Sequence, residues 1–134
     1  MGQLNHRKII VTGGAQGIGA AIVEGYAAEG AKVASLDLQF SDTSEIKDGV
    51  FHHKVDVADQ ESVNQAFEAS VEFLGGLDVL VNVAGVEVGG PSHEIPDSDW
   101  DLVFDVNAKG TRNTNAAAFK YLKEKGGAII NFGS

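Results

Sequence analysis

Short apolar runs and helical stripes alternate along this chain. Lys8 to Thr12 encloses Ile9-Ile10-Val11 and predicts a first strand. From Gly17 to Glu29 the positions Ile18, Ile22, Gly25 and Tyr26 share one helical face, and Gly30 supplies a stop. Lys32 to Asp37 predicts a second strand, followed by a polar stretch through Gly49, and Val50 to Val55 predicts a third. Asp59 is placed to cap a helix whose Val63, Phe67, Val71 and Leu74 recur every three to four residues. Leu77 to Val83 is nearly all apolar, as a strand covered on both faces should be. A loop with Gly89, Gly90, Pro91 and Pro96 leads to a long helix from about Ser98 to Glu124. Val103, Val106, Gly110, Ala117 and Tyr121 lie near one of its stripes. Gly126-Gly127 ends that helix, and Ala128 to Phe132 predicts a fifth strand.

Repeated βα units predict an α/β fold, a parallel sheet with helices on both faces. The 134 residues suit one domain with a real core. A net charge of −9 argues against nucleic acid or an anionic membrane surface as partner. It leaves a dinucleotide open, because backbone N–H groups at a helix start hold phosphate without lysine. The chain has no cysteine, which excludes disulfides and thiolate chemistry. No apolar signal core or membrane-length run occurs, so a cytoplasmic protein is the expectation.

The candidate chemistry begins where the first strand ends. Thr12-Gly13-Gly14-Ala15-Gln16-Gly17-Ile18-Gly19 is a glycine-rich turn between a strand and a helix, the sequence form of a dinucleotide-binding unit. It predicts a Rossmann-type, doubly wound parallel sheet. Gly13 permits the tight turn, while Gly17 and Gly19 permit close approach of backbone to pyrophosphate and of helix to sheet. Gln16 and Ile18 belong to the same cofactor-binding turn. Asp37 closes the second strand, 24 residues after Gly13. An acid there accepts both hydroxyls of an adenosine ribose and repels a 2′-phosphate, which favours NAD over NADP. Neither Gln16 nor Leu38 supplies a cation for that phosphate.

Thr12 to Gly19, Asp56-Val57, Asn82-Val83-Ala84-Gly85, Asn107 and Asn131-Phe132-Gly133-Ser134 occur in an order and spacing that resembles the classical short-chain dehydrogenase/reductase family, over the whole chain. The resemblance implies an NAD(H)-dependent oxidoreductase that interconverts a secondary alcohol and a ketone by hydride transfer. It implies that Asp56 bonds the adenine amino group and that Val57 offers its backbone to the ring. Asn82, Ala84 and Gly85 match the family's Asn-Asn-Ala-Gly segment, which lines the cofactor ribose. Val83 replaces the second asparagine and puts one structural hydrogen bond in doubt. Asn107, a poor helix former in mid-helix, matches the residue that holds a water leading to the catalytic lysine. The alternative for it is an exposed helix asparagine of the kind that Asn113 and Asn115 offer. Ser134 matches the serine that orients the substrate oxygen.

The family's acid/base tyrosine and its lysine come after this serine in chain order. Tyr26 and Tyr121 sit on predicted helix faces that suit packing and do not stand in for them. The expectation is therefore an incomplete dinucleotide-binding domain over residues 1–134, ending after about five strands, without the family's sixth and seventh strands and inactive alone. An NAD-binding or sensing module without catalysis is the alternative. The resemblance also implies a small alcohol or ketone substrate and a homo-oligomer, dimer or tetramer, built partly on the long helix. No metal is expected, since the adjacent His52 and His53 point to opposite faces of a strand. His93, Trp100 and the acids Asp97, Asp99 and Asp101 have structural readings, the acids at the positive end of the long helix.

Overall fold

The structure, a computed structural model, describes residues 5–15, 17–83, 97–122 and 127–132, with the backbone alone over 97–107. Among the described residues six strands and three helices follow one another: β1 (Lys8–Thr12), α1 (Gly17–Ala28), β2 (Lys32–Asp37), β3 (Glu45–Lys47), β4 (Val50–Lys54), α2 (Gln60–Leu74), β5 (Val79–Asn82), α3 (Asp97–Leu122) and β6 (Ala128–Asn131). The sheet order is β3-β4-β2-β1-β5-β6, parallel throughout except for β3. The doubly wound α/β architecture expected from the sequence is the one observed.

Alternation along each strand divides the core into two layers. Ile10, Leu36 and Leu80 face α2 and α3, where Val63, Phe67, Leu74 and Ala118 are buried against them. Ile9, Val11, Val33 and Val81 face the other way and meet Val23 of α1. The α2 stripe is the one its periodicity predicts. Asp59 caps the helix, accepting from the N–H groups of Glu61 and Ser62, and Gly75 closes it in a left-handed conformation.

Two elements differ from expectation. The buried stripe of α1 is carried by Gly19 and Val23, with Ile22, Tyr26 and Ala27 beside them, while Ile18 is 65% exposed at the helix start. The polar stretch after β2 also contains a strand, β3, which pairs antiparallel with β4 through the register Glu45↔His52, Ile46↔Phe51 and Lys47↔Val50. Asp48 and Gly49 both have positive φ between them. Two such residues make the tight turn whose twist suits a hairpin, and the Asp-Gly pair is its sequence signal. Every residue of β3 is exposed, so no apolar alternation marks it.

His52 and His53 lie on opposite faces of β4. His52 meets the Phe40 ring edge-on at 4.9 Å, and His53 stacks on Phe51 and bonds the Ser44 hydroxyl. Burial pushes both imidazoles below their ordinary 6.5. At His52 the charges of Glu45 and Asp48 oppose that shift and Lys47 adds to it. The unfolded chain therefore takes up these protons first as pH falls, and stability present above pH 6.5 is lost below it until the folded-state values are reached. The urea midpoint is expected to drop between about pH 7.5 and about pH 5.5, and to drop less in His53→Gln. Equal drops in the two proteins would assign the acid sensitivity elsewhere.

Candidate functional site

In an open parallel sheet, ligands bind beyond the carboxyl ends of the strands where the strand order reverses. Here that point lies between β1 and β5. The sequence-predicted residues that the structure describes line up along this edge: Asp56 and Val57 after β4, Asp37 at the end of β2, the glycine turn after β1, and Asn82 on β5. Gln16, Ala84, Gly85 and Ser134 lie outside the described residues, as does the side chain of Asn107, whose backbone is in α3. The loop carrying His93, and the side chains of Trp100 and the nearby acids, lie outside them too.

The glycine turn is held against β2. The N–H groups of Gly13 and Gly14 both donate to the Leu36 carbonyl, at 2.7 and 3.3 Å. Gly13 has φ of 75° and Gly17 of 60°, left-handed values that favour glycine. A Cβ on Gly19 would run into the Gly13 carbonyl, and one on Gly14 into the Ser35 hydroxyl, whereas one on Gly17 would meet open space. The turn is thus packed inward at Gly14 and Gly19 and open outward at Gly17. No acidic side chain stands in the first turn of α1, in contrast to α2 with Asp59 and Glu61. The positive end of α1 is left for an outside anion.

Asp37 sits at the rim of this turn. Its carboxylate accepts from the Ala15 N–H at 3.0 Å and from the Gln39 N–H at 2.9 Å. Asp56 is exposed, accepts from the Ala58 N–H at 3.0 Å, and donates its own N–H to the Ser62 hydroxyl. Val57 is buried, and its carbonyl accepts from Asn113 Nδ2 at 2.9 Å. A dinucleotide fits this donor set: backbone N–H groups and a helix start for phosphate, and a carboxylate for ribose hydroxyls. Among the described residues no cluster of three or more His, Cys, Asp or Glu side chains could hold a metal ion.

Asn82 anchors the other half of the edge. Its Oδ1 accepts from the Thr12 hydroxyl at 3.2 Å and the Thr114 hydroxyl at 2.8 Å. Its Nδ2 donates to Asn115 Oδ1 at 2.8 Å and Asn131 Oδ1 at 2.7 Å. One buried amide therefore ties β1, β5, β6 and α3 together. Sequence reasoning missed these helix partners. Asn113 and Asn115 are not exposed helix asparagines: Asn113 is 2% exposed and holds Val57, and Asn115 holds Asn82. Their signal was the one used for Asn107, polar residues of low helix propensity in mid-helix. Gly110 belongs with them, since a Cβ there would press on the Val57 side chain.

Tyr121 has Lys125 four residues on, the spacing of the family's tyrosine–lysine pair. The fold sets it aside. Tyr121 packs with the α2–α3 core layer beside Leu122, at the end of the sheet where Gly127 meets Asp78, opposite to the glycine turn.

An α/β fold with a glycine turn, an acid at the end of β2 and an asparagine hub on β5 is a Rossmann-type arrangement. More narrowly, residues 7–134 match the family model described as short chain dehydrogenase, and the chain belongs to that family. It is 37% identical to D-threitol dehydrogenase of Mycolicibacterium smegmatis, over 98% of this chain and 54% of that one. The structure of a short-chain dehydrogenase/reductase from Serratia marcescens superposes with a TM-score of 0.82 at 36% identity, over 98% of this chain and 59% of that one. A short chain dehydrogenase from Burkholderia cenocepacia, solved in complex with NADP, gives 0.81 at 31% identity, over 98% and 57%. The chain spans about half the length of the relatives it matches. Among the described residues no helix is long and apolar enough to cross a membrane.

Proposed function

We propose that the protein bearing this chain is an NAD(H)-dependent oxidoreductase that interconverts a secondary alcohol and a ketone. The bound nicotinamide supplies or accepts the hydride. In this reading the turn from Gly13 through Gln16, Gly17, Ile18 and Gly19 holds the pyrophosphate. Asp37 holds the adenosine ribose, Asp56 and Val57 hold the adenine, and the segment of Asn82, Ala84 and Gly85 stabilises the central sheet and lines the cofactor ribose. Ser134 orients the substrate oxygen, and Asn107 holds a water on the proton path. The protein works in the cytoplasm as a homo-oligomer built partly on α3, where Phe119 is 63% exposed.

The observation that carries the reading is the carboxylate of Asp37 at the rim of the glycine turn, bonded to Ala15. A fixed negative charge there supports a ribose with free hydroxyls over one bearing a 2′-phosphate. A relative solved with NADP makes this choice the point to test. In Asp37→Asn, NADH affinity is expected to fall about tenfold, the loss of a charge-assisted hydrogen bond, while NADPH affinity rises. Fluorescence titrations of the two cofactors measure both. An unchanged ratio of NADH to NADPH affinity would remove Asp37 from the site.

A further inference from the structure

We propose that Lys54, restrained by Asp42, is a second determinant of cofactor choice: their ion pair withholds a cation from the 2′-position of the ribose that Asp37 addresses. The inference rests on the reading of Asp37 given above. Asp37 and Lys54 are register partners on the parallel neighbours β2 and β4. Register partners project from the same face of a sheet. That face is the one toward α1, because Asp37 reaches Ala15 in the turn that leads into that helix. A lysine stem thus starts one strand away from the carboxylate that meets the ribose.

Its ammonium is turned outward instead, to Asp42 Oδ1 at 3.1 Å. Asp42 belongs to the segment that leaves Asp37, and three successive residues of β4 hold that segment in place. His52 meets Phe40, His53 bonds Ser44, and Lys54 pairs with Asp42. The position of Asp42 is thereby set by its neighbours as well as by the pair itself. The pair is open to water, with the lysine side chain 42% and the aspartate 92% exposed. Such pairs contribute little to folding, so this one is cheap to exchange for a stronger anion. Asp37, Asp42 and Lys54 together carry one net negative charge. Without the Asp42 charge the trio is neutral, and the ammonium is released to a phosphate dianion beside Asp37.

Titration of NADH and NADPH against the intact protein by fluorescence tests this. Asp42→Asn is expected to tighten NADPH about fivefold, with NADH changing less than about twofold, and the gain should shrink as salt is added. Lys54→Gln in the Asp42→Asn background is expected to abolish the gain. Thermal melts matching the parent confirm that these exposed substitutions leave the fold intact. An unchanged NADPH-to-NADH ratio in Asp42→Asn, or a gain that survives Lys54→Gln, overturns the inference. Either result alongside an altered ratio in Asp37→Asn leaves the ribose reading standing. An unaltered ratio in Asp37→Asn removes that reading instead.

Discussion

Gly19→Ala is expected to lower stability by about 3 kcal/mol and to weaken NADH binding by more than about tenfold, together the largest loss from a methyl added at any described glycine. The added Cβ points into the Gly13 carbonyl, with the Gly14 Cα behind it. Backbone meets backbone, so no rotamer change relieves the contact. The turn is also fixed from its far side, since the Gly13 and Gly14 N–H groups are bonded to Leu36. Either α1 lifts from the sheet, which opens the layer around Val23, or the turn lets go of β2. Gly14 makes an instructive contrast: its closest obstacle is the Ser35 hydroxyl, a side-chain atom that can be moved or removed. Urea denaturation and an NADH titration of the Gly19 variant check both losses. Parental values in the two measurements would show that the turn has slack that the geometry denies.

The glycine turn and the parallel strands were legible because their causes are local. Ile9-Ile10-Val11 is apolar at every position and is buried on both faces of the sheet. The α2 stripe follows from its own period and from Asp59. What escaped depends on distant neighbours or carries no apolar signal. β3 has three exposed residues and is announced only by Asp48-Gly49, whose paired positive φ is a property of the turn rather than of the strand. The α1 stripe is displaced by one position because Gly19 must press on Gly13, which puts Ile18 outside.

Asn113 and Asn115 look like solvent-facing helix residues until Val57, 56 positions away, and Asn82, 33 away, are seen beside them. Lys54 gave no sign of its place next to Asp37, because register between strands is a tertiary fact. The residues of the candidate site that the structure describes were largely named in advance, but the supports that hold them were not. A motif marks the groups that touch a ligand, whereas the supporting side chains reach in from other elements.

Asn82→Leu is the second large loss expected, about 3 kcal/mol, or a fall of about 10 °C in the thermal midpoint. Leucine keeps the branched outline of asparagine, with two methyl groups in place of the amide oxygen and nitrogen, but makes none of its four hydrogen bonds. Each of those bonds is worth about 1 kcal/mol, and a buried partner left unpaired costs more. The partners are unequally exposed to this loss. Thr114 can turn its one hydroxyl proton to the Gly110 or the Thr111 carbonyl inside α3. Asn131 is exposed and can turn to water. Asn115 is half-buried and loses the bond that joins α3 to β5. The damage should therefore concentrate where β5 meets α3 and, through the buried Thr12, at the end of β1. Hydrogen exchange is expected to quicken in α3 around Thr114 and in β6, while α1 and β2 keep their protection. The Thr114→Val substitution, added to Asn82→Leu, is expected to cost much less than it does alone, because the two side chains share one bond. A midpoint within about 2 °C of the parent in Asn82→Leu would mean that the apolar layers beneath it, not this amide, hold α3 and β6 to the sheet.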